Sequence, residues 1–105
     1  MSVRLHYAKE YKITWGGAGG MPFYSRELLR VIDLYDVIYY KDDGDDEPYR
    51  FDIPKGELRK LVDALRHDTR RHIHGVFETE DLISFFSEAL ENADAEDGEV
   101  HFEWF

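Results

Sequence analysis

The chain has 105 residues, of which 43% are hydrophobic, 15% aromatic and 34% charged, the proportions of one ordinary globular domain rather than of a disordered or fibrous chain. It contains no cysteine, which excludes disulfide frameworks, thiolate nucleophiles and zinc fingers. Its 23 acidic residues against 13 basic ones give a net charge of -10, which disfavours nucleic acid and anionic membranes as partners, because both are bound by cations that release counterions.

Residues 3–7 alternate, with Val3, Leu5 and Tyr7 on one side and Arg4 and His6 on the other. Tyr11, Ile13 and Trp15 repeat the pattern, which predicts two short strands or one long bent one. Glycines at 16, 17, 19 and 20 then interrupt any regular element, and Pro22 stops a helix from reaching backwards. Leu28, Val31, Ile32 and Tyr35 fall at helical spacing and predict a helix over 25–35, with Ser25 as the capping oxygen. Residues 37–41 and 48–53, rich in β-branched and aromatic side chains, flank a glycine-containing acidic turn and read as a hairpin.

Pro54 suits the first turn of a helix over 55–68, whose Leu58, Leu61, Val62 and Leu65 form one apolar stripe. Thr79 is placed as an N-cap, with Glu80 and Asp81 where the helix dipole favours negative charge. Leu82, Phe85, Phe86, Ala89, Leu90 and Ala93 sustain the helical period over 80–93. After Gly98, Val100, Phe102 and Trp104 alternate with Glu99, His101 and Glu103 in a last strand. The order β(β)αββααβ predicts an α+β fold: a small, mostly antiparallel sheet with three helices packed on one face, a single domain over 1–105. The last strand is expected to pair with the first. No segment has the apolar run of a signal peptide or the roughly 18 residues of a membrane helix, which together with the missing cysteines points to the cytoplasm.

The charge is unevenly spread. Residues 1–71 carry 13 acidic and 13 basic side chains, whereas residues 72–105 carry ten acidic ones and no Lys or Arg. Glu88, Glu91, Asp94, Glu96, Asp97 and Glu99 therefore form a candidate partner-binding surface, to which Asp42, Asp43, Asp45 and Asp46 of the hairpin tip can add. Such a surface accelerates encounter with a cationic protein at low salt. The expected function is a small acidic protein-binding domain of inhibitor, immunity or adaptor type that docks on a basic protein. The plainer role of exposed carboxylates is solubility. Residues 55–71 hold six cations against three anions, so a basic segment of one copy can also meet the acidic end of another, as in a structural subunit of an oligomer.

Two motifs are set aside on spacing. The glycine run lacks the further glycine of a dinucleotide fingerprint, Pro22 standing at that place, and no Gly-Lys-Ser/Thr follows for a P-loop, so no cofactor is expected. The Asp-rich turn lacks the alternating ligands and final Glu of an EF-hand. The remaining chemistry lies in His67, Asp68, His72 and His74, whose His-x-His pair projects to one side of an extended segment. These four are the candidate metal ligands, or the centre of a hydrolytic enzyme.

Overall fold

The computed structural model describes residues 3–17, 21–42, 44, 47–68 and 76–105. Four strands and three helices follow in the order β1 (Leu5–Glu10), β2 (Thr14–Gly16), α1 (Ser25–Leu34), β3 (Arg50–Pro54), α2 (Lys55–His67), α3 (Thr79–Asn92) and β4 (Glu99–Trp104). The strands form one antiparallel sheet in the order β2-β1-β4-β3, so the last strand is paired on both sides. The α+β architecture and the pairing of the first strand with the last are as the periodicities predict.

Alternation decides which face is covered. Leu5 and Tyr7 of β1, Phe51 and Ile53 of β3, and Val100, Phe102 and Trp104 of β4 are buried, each two residues from the next on its strand. They meet the apolar stripes of the helices: Leu28 and Ile32 of α1, Leu58, Leu61 and Leu65 of α2, and Leu82, Phe86 and Ala89 of α3. Phe102 lies at the middle, opposite Tyr7 on one side and Phe51 on the other. Its ring stacks on Phe51 at 4.9 Å and meets Phe86 edge-on at 5.6 Å. These are the offset and T-shaped geometries that aromatic quadrupoles favour.

The strand expected over 37–41 reduces to one antiparallel bridge, Tyr40 to Asp52, with reciprocal backbone bonds of 2.8 and 2.9 Å. The cause lies just upstream. Asp36 takes a left-handed conformation (φ 58°), and the amides of Asp36 and Val37 close back onto the carbonyls of Asp33 and Ile32, a Schellman ending for α1. Ile38 then donates its amide to the Glu57 carboxylate at 3.2 Å instead of to a strand partner. What remains is a short cover over the edge of β3.

The helix starts also differ by one residue from the predicted caps. Tyr24 and Glu78 occupy the N-cap positions of α1 and α3, and Ser25 and Thr79 are the first helical residues, both buried. The Ser25 hydroxyl has no hydrogen-bond partner among the described residues. Ser25→Ala should therefore leave thermal stability unchanged or raise it, because it removes an unsatisfied buried oxygen. A capping serine would instead lose about 1 kcal/mol on the same substitution, and a melting curve distinguishes the two.

Candidate functional site

An open cleft of about 480 Å³ lies between α3 and the glycine-bearing segment that leads to α1. Glu78, Asp81 and Glu88 contribute carboxylates from the α3 side, and the helical period places Asp81, Ser84 and Glu88 in one row. Met21, Phe77 and Phe85 supply buried apolar surface, and Tyr24 and Val76 are exposed lining residues. Arg4 is the one cation among the described lining residues.

Gly17 in the cleft wall, and Gly16 before it, pack too closely against their neighbours to carry a side chain. A Cβ on Gly16 would fall 2.4 Å from Tyr7 Cζ, and one on Gly17 would fall 2.7 Å from Phe85 Cε1. Gly17 also has φ 81°, a left-handed conformation in which side chains are strained. The buried Tyr7 hydroxyl donates to Glu88 Oε2 at 3.0 Å and so fixes that carboxylate at the cleft wall. Burial first, and then the hydrogen bond to Glu88 and the charge of that carboxylate, push the Tyr7 phenol up to about 12.

The acidic residues named from sequence fall in separate places. Glu88 and Glu91 are exposed on α3, and Asp94 and Glu96 are exposed on the turn that follows it. Asp81, Glu88 and Glu91 make no ion pair with any described residue, and the Asp94 carboxylate accepts the Glu96 amide at 3.0 Å. Asp97 and Glu99 are half-buried, with the Asp97 carboxylate accepting the Glu99 amide at 3.0 Å. Asp42 pairs with Arg50 at 3.6 Å and lines a smaller hollow, of about 310 Å³, that shares no lining residue with the α3 cleft. Asp43, Asp45 and Asp46 lie outside the described residues.

Of the histidine segment, His67 ends α2 and donates Nδ1–H to the Asp63 carbonyl at 2.7 Å, and Asp68 is the helix C-cap. His72 and His74 lie outside the described residues. Among the described residues, no three His, Asp or Glu side chains gather to hold a metal ion. Nor is any described helix long and apolar enough to cross a membrane.

A different histidine carries the most developed polar geometry. His101, on the sheet face opposite the helices, bonds Asp52 Oδ1 through Nδ1 at 2.6 Å and Asp97 Oδ2 through Nε2 at 2.7 Å, and its ring stacks on Tyr11 at 4.1 Å. Carboxylates only accept, so a ring that serves two of them at once is the imidazolium. Burial opposes that charge, yet the hydrogen bonds and charges of Asp52 and Asp97 outweigh it and hold the His101 pKa above its ordinary value. The Glu99 amide, followed by His101, holds Asp97 below the usual carboxylate range. With both nitrogens engaged, His101 has no free lone pair for general-base work and acts as a tie between β3, β4 and the turn before it.

This tie has a defined pH window. The raised His101 pKa adds stability that is fully present below the unfolded value of roughly 6.5 and is lost as pH rises through the folded value. The lowered Asp97 pKa adds stability that is present above roughly 3.9 and is lost as pH falls through its folded value. Thermal melts between about pH 5 and 9 should show a decline on the alkaline side that His101→Gln abolishes, with the ring titrating above the ordinary histidine value by NMR. A wild-type curve parallel to that of the variant would show that the tie contributes nothing.

No family model, curated protein or solved structure matches this chain.

Proposed function

We propose that this domain is a protein-binding module that docks on a basic protein through the acidic surface of α3 and the turn after it, in the manner of an inhibitor, immunity factor or adaptor. The observation that carries the reading is the absence of local neutralisation: Asp81, Glu88 and Glu91 have no cation paired to them among the described residues. Exposed carboxylates left unpaired on one helix keep their long-range field, and such a field steers a cationic partner and raises its association rate. The -10 net charge works in the same direction and against nucleic acid or anionic lipid. A cytoplasmic location goes with this reading.

The test is capture from the native host across a salt series, with the wild type beside a variant combining Glu91→Gln, Asp94→Asn and Glu96→Gln. All three positions are exposed, and Asp94→Asn keeps the side-chain oxygen that accepts the Glu96 amide. The expected result is one defined partner whose capture weakens with rising salt and with the variant. Capture that ignores both changes, or no capture at all, overturns the reading. Light scattering on the pure protein reports whether a second copy takes the partner's place.

A further inference from the structure

We infer that the cleft beside α3 receives an arginine or lysine side chain presented by the partner protein. The inference rests on the docking reading above and deepens it by fixing where the partner's charge is held. Three acidic residues, Glu78, Asp81 and Glu88, and one cation, Arg4, are among the described residues lining a cleft of about 480 Å³. The described lining therefore carries a net charge of -2, which favours a further cation. Its apolar part is formed by Met21, Phe77 and Phe85, which are largely buried within the protein.

That combination selects among ligands. A small anion is repelled, and a purely apolar group would strip water from the carboxylates with no charge in return. A bare divalent cation needs several oxygens converging at about 2.3–2.6 Å, and the described residues hold no group of that kind. A lysine or arginine matches both halves, because its hydrocarbon stem covers apolar surface while its head reaches the carboxylates. The exposed ring of Tyr24 adds an aromatic face, which favours a guanidinium. Glu88 is already oriented by the Tyr7 hydroxyl, so less side-chain freedom is lost when the cation arrives.

The probe is a short blocked peptide of alternating glycine and arginine, compared with its counterpart in which citrulline, equal in shape and uncharged, replaces arginine. Binding is read by calorimetry and by amide shifts of Gly17, Phe77 and Phe85. The arginine peptide should bind and move those amides, and the citrulline peptide should bind about tenfold more weakly or worse. Asp81→Asn with Glu88→Gln should weaken the arginine peptide by a similar factor, while the outer set Glu91→Gln, Asp94→Asn, Glu96→Gln should change it less than about twofold. The outer set removes more charge, so a diffuse field predicts the reverse order. Glu88→Gln still offers a side-chain oxygen to the Tyr7 hydroxyl, which keeps the wall in place.

Equal affinity for the two peptides, no binding of the arginine peptide, or a loss that follows the outer set overturns the cleft assignment. None of these outcomes decides the docking reading, which stands or falls on the capture experiment.

Discussion

Phe102→Ala should destabilise the protein by about 3–5 kcal/mol, the range for deleting a fully buried aromatic ring. Phe102 is 1% exposed and is flanked across the sheet by Tyr7 and Phe51, with the rings of Phe51, Phe85 and Phe86 around it. Strands and helices both fix these neighbours, so they cannot collapse into the void, which places the loss toward the upper end of the range. Native domains hold only about 5–15 kcal/mol in total, so the variant should be partly unfolded near physiological temperature. Urea unfolding checks this: the midpoint should fall sharply with little change in slope. Phe105→Ala is the natural control, because that ring is 55% exposed and its removal leaves no enclosed cavity. If the two substitutions cost the same, the placement of Phe102 at the centre of the core is wrong.

Gly17→Ala should be the next most damaging change, at about 2–5 kcal/mol, because two costs add there. A side chain at φ 81° sacrifices about 1–2 kcal/mol of backbone energy, and its Cβ meets the ring of the buried Phe85 at 2.7 Å, an overpacking cost of about 1–3 kcal/mol. Gly44 separates the two, since it has φ 79° and nothing within 4 Å of its Cβ position. Gly44→Ala should therefore show the backbone cost alone. Gly56, in the first turn of α2 with open space around it, should gain stability on the same substitution, by up to about 1 kcal/mol. Three melting curves that rank Gly56→Ala above Gly44→Ala above Gly17→Ala support the close approach of the glycine segment to α3. Equal effects at 17 and 44 would rule it out.

The glycine run shows where sequence reasoning reaches its limit. Its composition predicts a segment outside regular structure from Gly16 on; Gly17 does lie between β2 and α1, but Gly16 ends β2 itself, because it pairs with Tyr7 of β1. What composition does not reveal is that Gly16 is pressed against Tyr7, its partner across the β1–β2 pairing, and Gly17 against Phe85, which lies far away along the chain on α3. The helices were legible because an apolar stripe is a local property: the observed bounds of α1, α2 and α3 fall within a residue or so of those that the repeats of Leu28, Leu58 and Leu82 imply. The residues 37–41 read as a strand on propensity, but the amide of Ile38 is taken by Glu57, 19 positions later, and the pairing is cut to one bridge.

The sites follow the same rule. Of the cleft carboxylates only Glu88 is named from sequence as a binding residue, whereas Glu78, Asp81, Arg4, Met21 and Tyr24 are not, since only the fold brings the two sides of the cleft together. The contact between Tyr7 and Glu88 spans 81 positions. His101 passed as one polar residue of an alternating strand. The only local hint of its role was Asp97 four residues earlier across a turn, and its second partner, Asp52, is 49 positions away.

The position of β4 has a consequence for how the molecule comes into being. Every other element precedes it in the chain, yet β1 and β3 each find their long partner only in β4. During translation, the hairpin of β1 and β2 and the helical segments emerge first, with two strand edges waiting for a template that has not yet been made. Closing the β1–β4 ladder joins residues separated by nearly the whole length of the domain, and the β3–β4 ladder joins residues about half of it apart, which is the slow, non-local kind of step in folding. Until it occurs, the ring faces of Tyr7 and Phe51 have nothing between them. The nascent domain thus passes through an interval of exposed strands in which its first 71 residues carry no net charge, and the repulsion that opposes joining the edges of a neighbour arrives only with the carboxylates of α3 and the residues after it.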